Sequence, residues 1–543
     1  FLSGLVRGPC VSVSSVRTMR KSTCASIAGV SGLILCVVGV LVVVYFQDLV
    51  NYFINQQLIL QEGAESFKLW AKPPVHPQTR FYFFNYTNRE EVLQGEGIPK
   101  VEEVGPYVYE ETWEKVDIQF HPNGTVSYRQ RKLYRFMPDT SIGSEDDVIV
   151  SPNAPMLSAT SQLKFAAKLM RLALSSMFEV LKEEPFAPHT VKELLWGYED
   201  PLLKLGKDIM PPEQQIPYEK FGYYVGRNGT NDGVYTVFTG AGDITKYAAV
   251  NTFKGEEKLH FWNSEYCNTI NGTDGSAFSP SVKRSTVLHL FNPDLCRSIP
   301  LVYSKTVKHN QVDGYRFVPP EDVFDDVESN PDNMCYCLTG PPCPRSGVFN
   351  ISACQYGSPV LLSWPHFYNA DASFLKGVIG LHPNKWDHQF YMDVQPKLGI
   401  AMQAWARIQI NIQFNKIENI KPIANMSIDG TVLPVLWFES GIEELTPEVY
   451  ELFKQATEQP IVAEAAMTYT FFLIGGILLV LVIIFFVCKK TTCFGKRKVG
   501  DKDLYSVPKP TADMMEKNGV TPSRTSTMKV DDVTPNRSSS VPV

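Results

Sequence analysis

Two long stretches of this 543-residue chain, Ser22 to Gln47 and Ala465 to Cys488, contain no charged residue. Also missing are the spacings that announce common chemistries. There is no Gly-x-Ser-x-Gly elbow, no His-Glu-x-x-His pair and no phosphate-cradling glycine loop. The nine histidines are scattered. His382 and His388, in "GLHPNKWDHQFYMDVQP", are near each other but form no metal or catalytic constellation and read as ordinary loop histidines. A basic excess is absent too, since the net charge is −6, which argues against nucleic-acid binding. The expectation is a chain that is not an enzyme and needs no metal or cofactor.

What fills the uncharged stretches is apolar: "ASIAGVSGLILCVVGVLVVVYF" and "TYTFFLIGGILLVLVIIFFVC". A helix crossing a bilayer needs ~20 such residues. The first run exceeds the 7–15 residues usual for the core of a signal peptide, and no small-residue cleavage pattern follows it. It therefore reads as an uncleaved anchor. Arg7, Arg17, Arg20 and Lys21 precede the first run, and Lys489, Lys490, Lys496, Arg497 and Lys498 follow the second. The positive-inside rule then places both ends in the cytoplasm. The flanks carry +9 of a total of −6, which leaves −15 on residues 22–488. The expected domains are a cytoplasmic N-terminus over 1–21, a span over 22–47, an outer domain over 48–464, a span over 465–488 and a cytoplasmic tail over 489–543. The tail, rich in Lys, Ser, Thr and Pro with a single leucine, is expected to be disordered.

Six sequons fall in the outer domain, at Asn85, Asn123, Asn228, Asn271, Asn350 and Asn425, and are read as N-glycosylation sites. Six cysteines also lie there: Cys267, Cys296, Cys335, Cys337, Cys343 and Cys354. An even number in an oxidising compartment points to three disulfides, with 15 pairings open. The irregular gaps do not suit paired zinc ligands. Cys24, Cys488 and Cys493 flank the cytoplasmic face, where palmitoylation and an unmodified apolar role are equal readings.

The outer domain reads as α+β. "TRFYFFNYTN", "DGVYTVFTG", "KYAAVNTF" and "GIAMQAWARIQINIQFNKI" have strand character. "EETWEKVDIQF" and "TVSYRQRKLYRF" flank Asn123-Gly124, a hairpin turn signal. Residues 155–205 read as helices, with Thr190 and Glu193 in a capping box. In "SQLKFAAKLMRLALSSMFEVLK", Leu163, Ala167, Met170, Leu174, Met177 and Leu181 share one predicted helix face. Lys164, Lys168, Arg171, Ser175 and Lys182 follow the opposite spacing. The basic stripe is either a solvated face or a receiver of anionic ligands.

Several strings, "EEVGPYVYEE", "LLWGYEDPLL", "INGTDG", "LCRSIPLVY", "NPDNMCYC" and "GLHPNKWDHQFYMDVQP", resemble the class B scavenger receptor family, in order, over residues 22 to 490. That family includes the fatty-acid translocase, the high-density-lipoprotein receptor and the lysosomal integral membrane protein. The resemblance implies an antiparallel β-barrel core with a helical apex bundle at 155–205 and an internal hydrophobic tunnel. It implies the pairing Cys267–Cys335, Cys296–Cys354 and Cys337–Cys343. It also implies ligand docking at the apex, where Lys182 matches best and Lys164, Lys168 and Arg171 join it; Val180 and Glu179 depart from the translocase.

The leading expectation is a plasma-membrane receptor for lipids or lipoproteins that takes up fatty acid, sterol or carotenoid. The alternative is a protein-binding sorting or adhesion receptor of endolysosomal type. The tail has no paired leucines, and Tyr505 in "YSVP" lacks a bulky apolar residue three places on, which favours the plasma membrane. Val541 and Val543 at the C-terminus suit a PDZ-domain partner, Thr521 and Thr534 precede prolines as phosphorylation candidates, and a homo-oligomer fits the same reading.

Overall fold

The structure of the protein is a computed structural model that describes residues 13–209, 219–338 and 340–495. Among the described residues, those within 30–477 form one compact unit, and 13–29 with 478–495 form another. The larger unit is built on one antiparallel sheet of 13 strands. Its path runs Leu288–Asn292, Arg297–His309, Val312–Val318, Tyr391–Gln395, Ile400–Gln413, Val432–Ile442, Gln78–Tyr86, Val101–His121, Thr125–Phe136, Asn231–Phe238 and Val250–Phe253. The two ends of this path nearly meet. Val250 N donates to Gly272 O (2.8 Å) and Phe291 N to Thr273 O (2.9 Å), so one short segment stitches the first strand to the last. The result is a nearly closed barrel, which leaves few unpaired strand edges.

Local chemistry accounts for many of the strands. At the 121–125 turn Gly124 takes a left-handed φ of 76° and Asn123 Oδ1 accepts from Thr125 N and Oγ1, so the long hairpin closes where Asn-Gly stands. "KYAAVNTF" is a strand only from Val250; Ile244–Lys246 forms a short 3₁₀ turn and Ala248 has φ 61°. Residues 155–205 are helical in part: Ala154–Gln162, Lys168–Leu181, Val191–Trp196 and Pro201–Ile209. The strand Phe186–Thr190 interrupts them and pairs with Val148–Pro152. Pro185 and Pro188 cause the interruption, because each removes an N–H and biases its predecessor toward extended backbone. The capping box at Thr190 and Glu193 is present.

Two large apolar cores occupy the unit. One gathers Phe81, Phe83, Leu174, Phe178, Leu195 and Val435, and so joins the sheet to the apex helices. The other gathers Trp70, Tyr128, Trp262, Cys267, Cys296 and Phe317. Disulfides Cys267–Cys335, Cys296–Cys354 and Cys337–Cys343 staple the loops on this second core, with Cα separations of 6.2, 6.6 and 5.5 Å.

Helices Val13–Leu58 and Gln459–Gly495 carry the two uncharged runs and are long and apolar enough to cross a membrane. Leu33, Val37, Leu473 and Ile477 among others lie exposed, a surface that only lipid can cover at this extent. Within the larger unit the helices pack antiparallel. A Cβ on Gly475 would sit 2.8 Å from Cys36 Sγ and 2.9 Å from Gly32 O, and one on Gly39 would sit 3.3 Å from Phe472. Gln47 Nε2 donates to Glu464 (2.5 Å). Moving three and then eight residues along one helix, from Cys36 to Gly39 to Gln47, moves three and then eight back along the other, so one register holds throughout. Glycine is required at 475 because the backbones approach that closely. Gly475→Cys is therefore expected to form an intrachain disulfide with native Cys36 on mild oxidation, seen as fragments that stay linked after a protease nick between the helices. Gly476→Cys, with nothing within 4 Å, is expected to stay reduced. Equal linkage in both variants would overturn this register.

Candidate functional site

The sequence-predicted site residues lie at the apex, but not on the face that the periodicity suggests. The helix starts only at Lys168; residues 163–167 form a turn, with Leu163 N donating to Thr160 O and Ala166 N to Leu163 O. A continuous helical phase from 163 to 182 is thus broken, and the buried stripe becomes Leu174, Ser175 and Phe178. Ser175, read as part of the polar stripe, is buried and its Oγ accepts from Lys421 N (2.9 Å). Arg171 is half-buried, with its Nε unpaired. Met170, read as inward, is exposed.

Lys164 and Lys168 sit together at the start of this helix and are exposed. Lys182 caps the other end in a left-handed conformation, φ 60° and ψ 38°. By helical rise it is about 21 Å from Lys168. The acids nearby are taken up elsewhere. Glu179 pairs with Lys421 at 2.8 Å and Glu184 with Arg89 at 3.6 Å. Glu183 accepts from Asn153 Nδ2 (2.8 Å), and burial raises its carboxyl above the usual range. Among the described residues, Lys164, Lys168 and Lys182 form no ion pair, so the apex surface keeps positive charge.

Sequence reasoning missed the apolar half of this surface. Phe165 is 94% exposed, Val180 80% and Leu169 76%, with Lys164 Nζ 5.7 Å from the Phe165 ring. Bare aromatic and aliphatic groups beside unpaired lysines form a patch able to hold an apolar ligand with an anionic head. The break at 163–167 that turns Phe165 outward has no local sequence signal beyond Ala166-Ala167, which are good helix formers.

Beneath the apex lies an aromatic interior. Phe81 meets Tyr224 edge-on at 4.7 Å, Tyr224 meets Phe438 at 5.8 Å and Tyr134 at 5.8 Å. Burial pushes the Tyr134 and Tyr224 phenols well above their ordinary pKa, as deep groups in low dielectric do. Yet Tyr134, Tyr224, Ile410 and Phe438 keep accessible surface. Ile410 and Phe438 also touch both large cores. Ile410 and Phe438 thus bridge the two cores while remaining half-buried.

Cys24 and Cys488 are exposed on the terminal helices, and Cys493 falls at the end of Gln459–Gly495. Tyr505, Thr521, Thr534, Val541 and Val543 lie outside the described residues. Asn123, Asn228, Asn271 and Asn425 are exposed, whereas Asn85 and Asn350 are half-buried.

Comparison with known proteins agrees with this architecture along nearly its whole length. A CD36 family model matches residues 30–486. The chain is 34% identical to scavenger receptor class B member 1 of Bos taurus over 494 residues, covering 90% of this chain and 94% of that one. It is 37% identical to lysosome membrane protein 2 of Homo sapiens over 425 residues, 77% of this chain and 86% of that one. With two apolar terminal helices, a nearly closed antiparallel barrel and a family match that spans them all, the chain belongs to the CD36 family of class B scavenger receptors.

Proposed function

We propose that the chain is a plasma-membrane receptor that captures lipid or lipoprotein at the apex and passes fatty acid, sterol or carotenoid through the barrel interior to the bilayer. The observation that supports this reading is that Ile410 and Phe438, both half-buried, pack against both large apolar cores. A dry passage lowers the barrier to acyl-chain transfer without a chemical step. The apex lysines would receive the anionic head or carrier, and Phe165 and Leu169 its apolar surface. Both termini face the cytoplasm in this arrangement, with palmitate on Cys24, Cys488 or Cys493 and a PDZ-domain protein at the tail as accessory features.

Two measurements test the outer surface. Lys164→Glu with Lys168→Glu is expected to lower lipoprotein capture by cells several-fold while surface level is unchanged, and the loss should deepen at low salt, where the Debye length is long. Unchanged capture would move the docking site away from the apex. Glycopeptide mapping is expected to find Asn123 occupied, since it stands on an exposed turn. Asn85 is expected to be the least occupied, because it is half-buried in a strand, paired with Glu102, and its Oδ1 accepts from Val150 N (2.9 Å).

A further inference from the structure

Away from the apex, a recess of about 590 Å³ lies between the start of the strand Val101–His121 and the loop 380–388. Glu103, His366, His382, Asn384, Asp387 and His388 line it. Gly380, with φ 105°, lets the loop approach: a Cβ there would sit 2.0 Å from Val101 O. The floor is a chain of hydrogen bonds that fixes where each proton resides. His382 N–H donates to His366 Nδ1 (3.0 Å), so His366 carries its proton on Nε2 and donates it to Glu103 Oε2 (2.5 Å). Trp437 Nε1–H donates to the same oxygen (2.6 Å).

His388 completes the wall. Its ring stacks on His366 with centroids 4.5 Å apart and planes 8° from parallel. Asn384 N–H donates to His388 Nδ1 (2.9 Å), which leaves the proton on Nε2. The residue is only 5% exposed and lines the recess, and among the described residues its Nε2–H has no protein acceptor. Burial first, and the neighbouring His366 second, lower the His388 pKa to about 3, so the ring stays neutral. Burial opposes ionisation of Glu103, but the bonds from His366 and Trp437 outweigh it and hold the carboxyl below its usual range. Asp387 adds a second carboxylate, bonded at one oxygen by Asn384 Nδ2 (2.6 Å). Arg407, the nearest buried cation, is spent on Glu439 Oε2 (2.9 Å) and on the carbonyls of Trp386 and Gln389. The recess thus offers the carboxylates of Glu103 and Asp387, with Glu102 also on its lining, and one neutral N–H that lacks a protein acceptor among the described residues, with Trp386 exposed in the loop beside it.

We propose that this recess binds an organic cation, an ammonium or guanidinium group held between Glu103 and Asp387 while an oxygen of the same ligand accepts from His388 Nε2–H. Charge-assisted bonds to two carboxylates supply the attraction, and the histidine selects ligands with an oxygen close to the cation. An amino alcohol, free or in a lipid head group, has this chemistry, with its oxygen two carbons from the nitrogen; a protein lysine, whose carbonyl lies a whole side chain from its ammonium, does not. The assignment does not depend on lipid passing through the barrel.

The test uses the full chain in detergent micelles and isothermal titration with three probes: ethanolamine, N-acetyl-lysine methylamide and, as the uncharged control, ethylene glycol. Saturable binding of ethanolamine, weaker binding of N-acetyl-lysine methylamide and none of ethylene glycol is expected, and tighter binding of the lysine derivative would overturn the amino-alcohol assignment. Glu103→Gln keeps an acceptor for His366 and Trp437 but removes the charge. Asp387→Asn does the same at the exposed wall, and His388→Phe keeps the stack without the N–H. Each is expected to weaken binding about tenfold or more, as loss of a charge-assisted contact does. Binding of neither amine, equal binding of ethylene glycol, or wild-type affinity in the two carboxylate variants would overturn the site.

Discussion

Asp393→Ala is expected to destabilise the outer domain by about 3–5 kcal/mol, the usual cost of removing one partner from a buried ion pair. Asp393 has no side-chain exposure and is gripped on both oxygens, by Arg316 Nε and Nη2 at 2.7 Å each and by His309 Nε2 at 2.9 Å. Arg316 also lies 3.8 Å over the Tyr391 ring, so its guanidinium cannot turn to water without breaking a second contact. Removing the carboxylate leaves that cation desolvated on a barrel strand that pairs with Tyr391–Gln395. Burial by itself would raise the Asp393 carboxyl, but the bonds from Arg316 and His309 outweigh it and hold the carboxyl below the usual range. A lowered folded pKa means stability that is present above the unfolded value of ~3.9 and is lost as pH falls through the folded value. The gap between wild type and Asp393→Ala in a denaturant melt should therefore be full at neutral pH and shrink only in strong acid. A gap that is absent at neutral pH, or that grows on acidification, would sink the argument.

Ile410→Trp is expected to cut lipid transfer about tenfold or more while lipoprotein binding at the surface stays intact. Each methylene exposed to water costs ~0.8 kcal/mol, so ten methylenes cost ~8 kcal/mol, and a passage that is dry along its length governs the rate. Ile410 stands on the strand Ile400–Gln413 opposite Leu436, touches both cores and keeps accessible surface. In the proposed passage an indole there would fill the space between the two cores. Its neighbours Gln409 and Asn411 face the other way into a closed polar network, with Gln409 Nε2 donating to Asn411 Oδ1 (2.7 Å) and His366 N to Gln409 Oε1 (2.6 Å). The outer wall should therefore hold while the inner space closes. Overpacking of this kind costs ~1–3 kcal/mol, which surface expression will report. Leu133→Trp, at an exposed position, is the control and should transfer normally. If Ile410→Trp transfers lipid at the wild-type rate, the interior passage is wrong, and the alternative of a protein-binding sorting receptor gains.

The two membrane helices were legible in the sequence by themselves, because the absence of charge over a bilayer's length is a property of composition and needs no partner. Most of the long strands were legible for a related reason: alternation along one strand reports burial of one face, and Asn123-Gly124 sets its turn locally. The class B scavenger receptor resemblance, carried by motifs spread from 22 to 490, supplied the barrel. Only the tertiary structure decided the phase of the apex helix, because the turn at 163–167 rotates every later side chain and the energy of that turn is small against the packing of Leu174 and Phe178. Only it brought His366 to Glu103, 263 positions away, and stacked His388 on His366. Each strand's face is fixed by its nearest neighbours, but which faces meet is fixed by the sum of many weak contacts across the whole barrel, and no short stretch of sequence contains that sum.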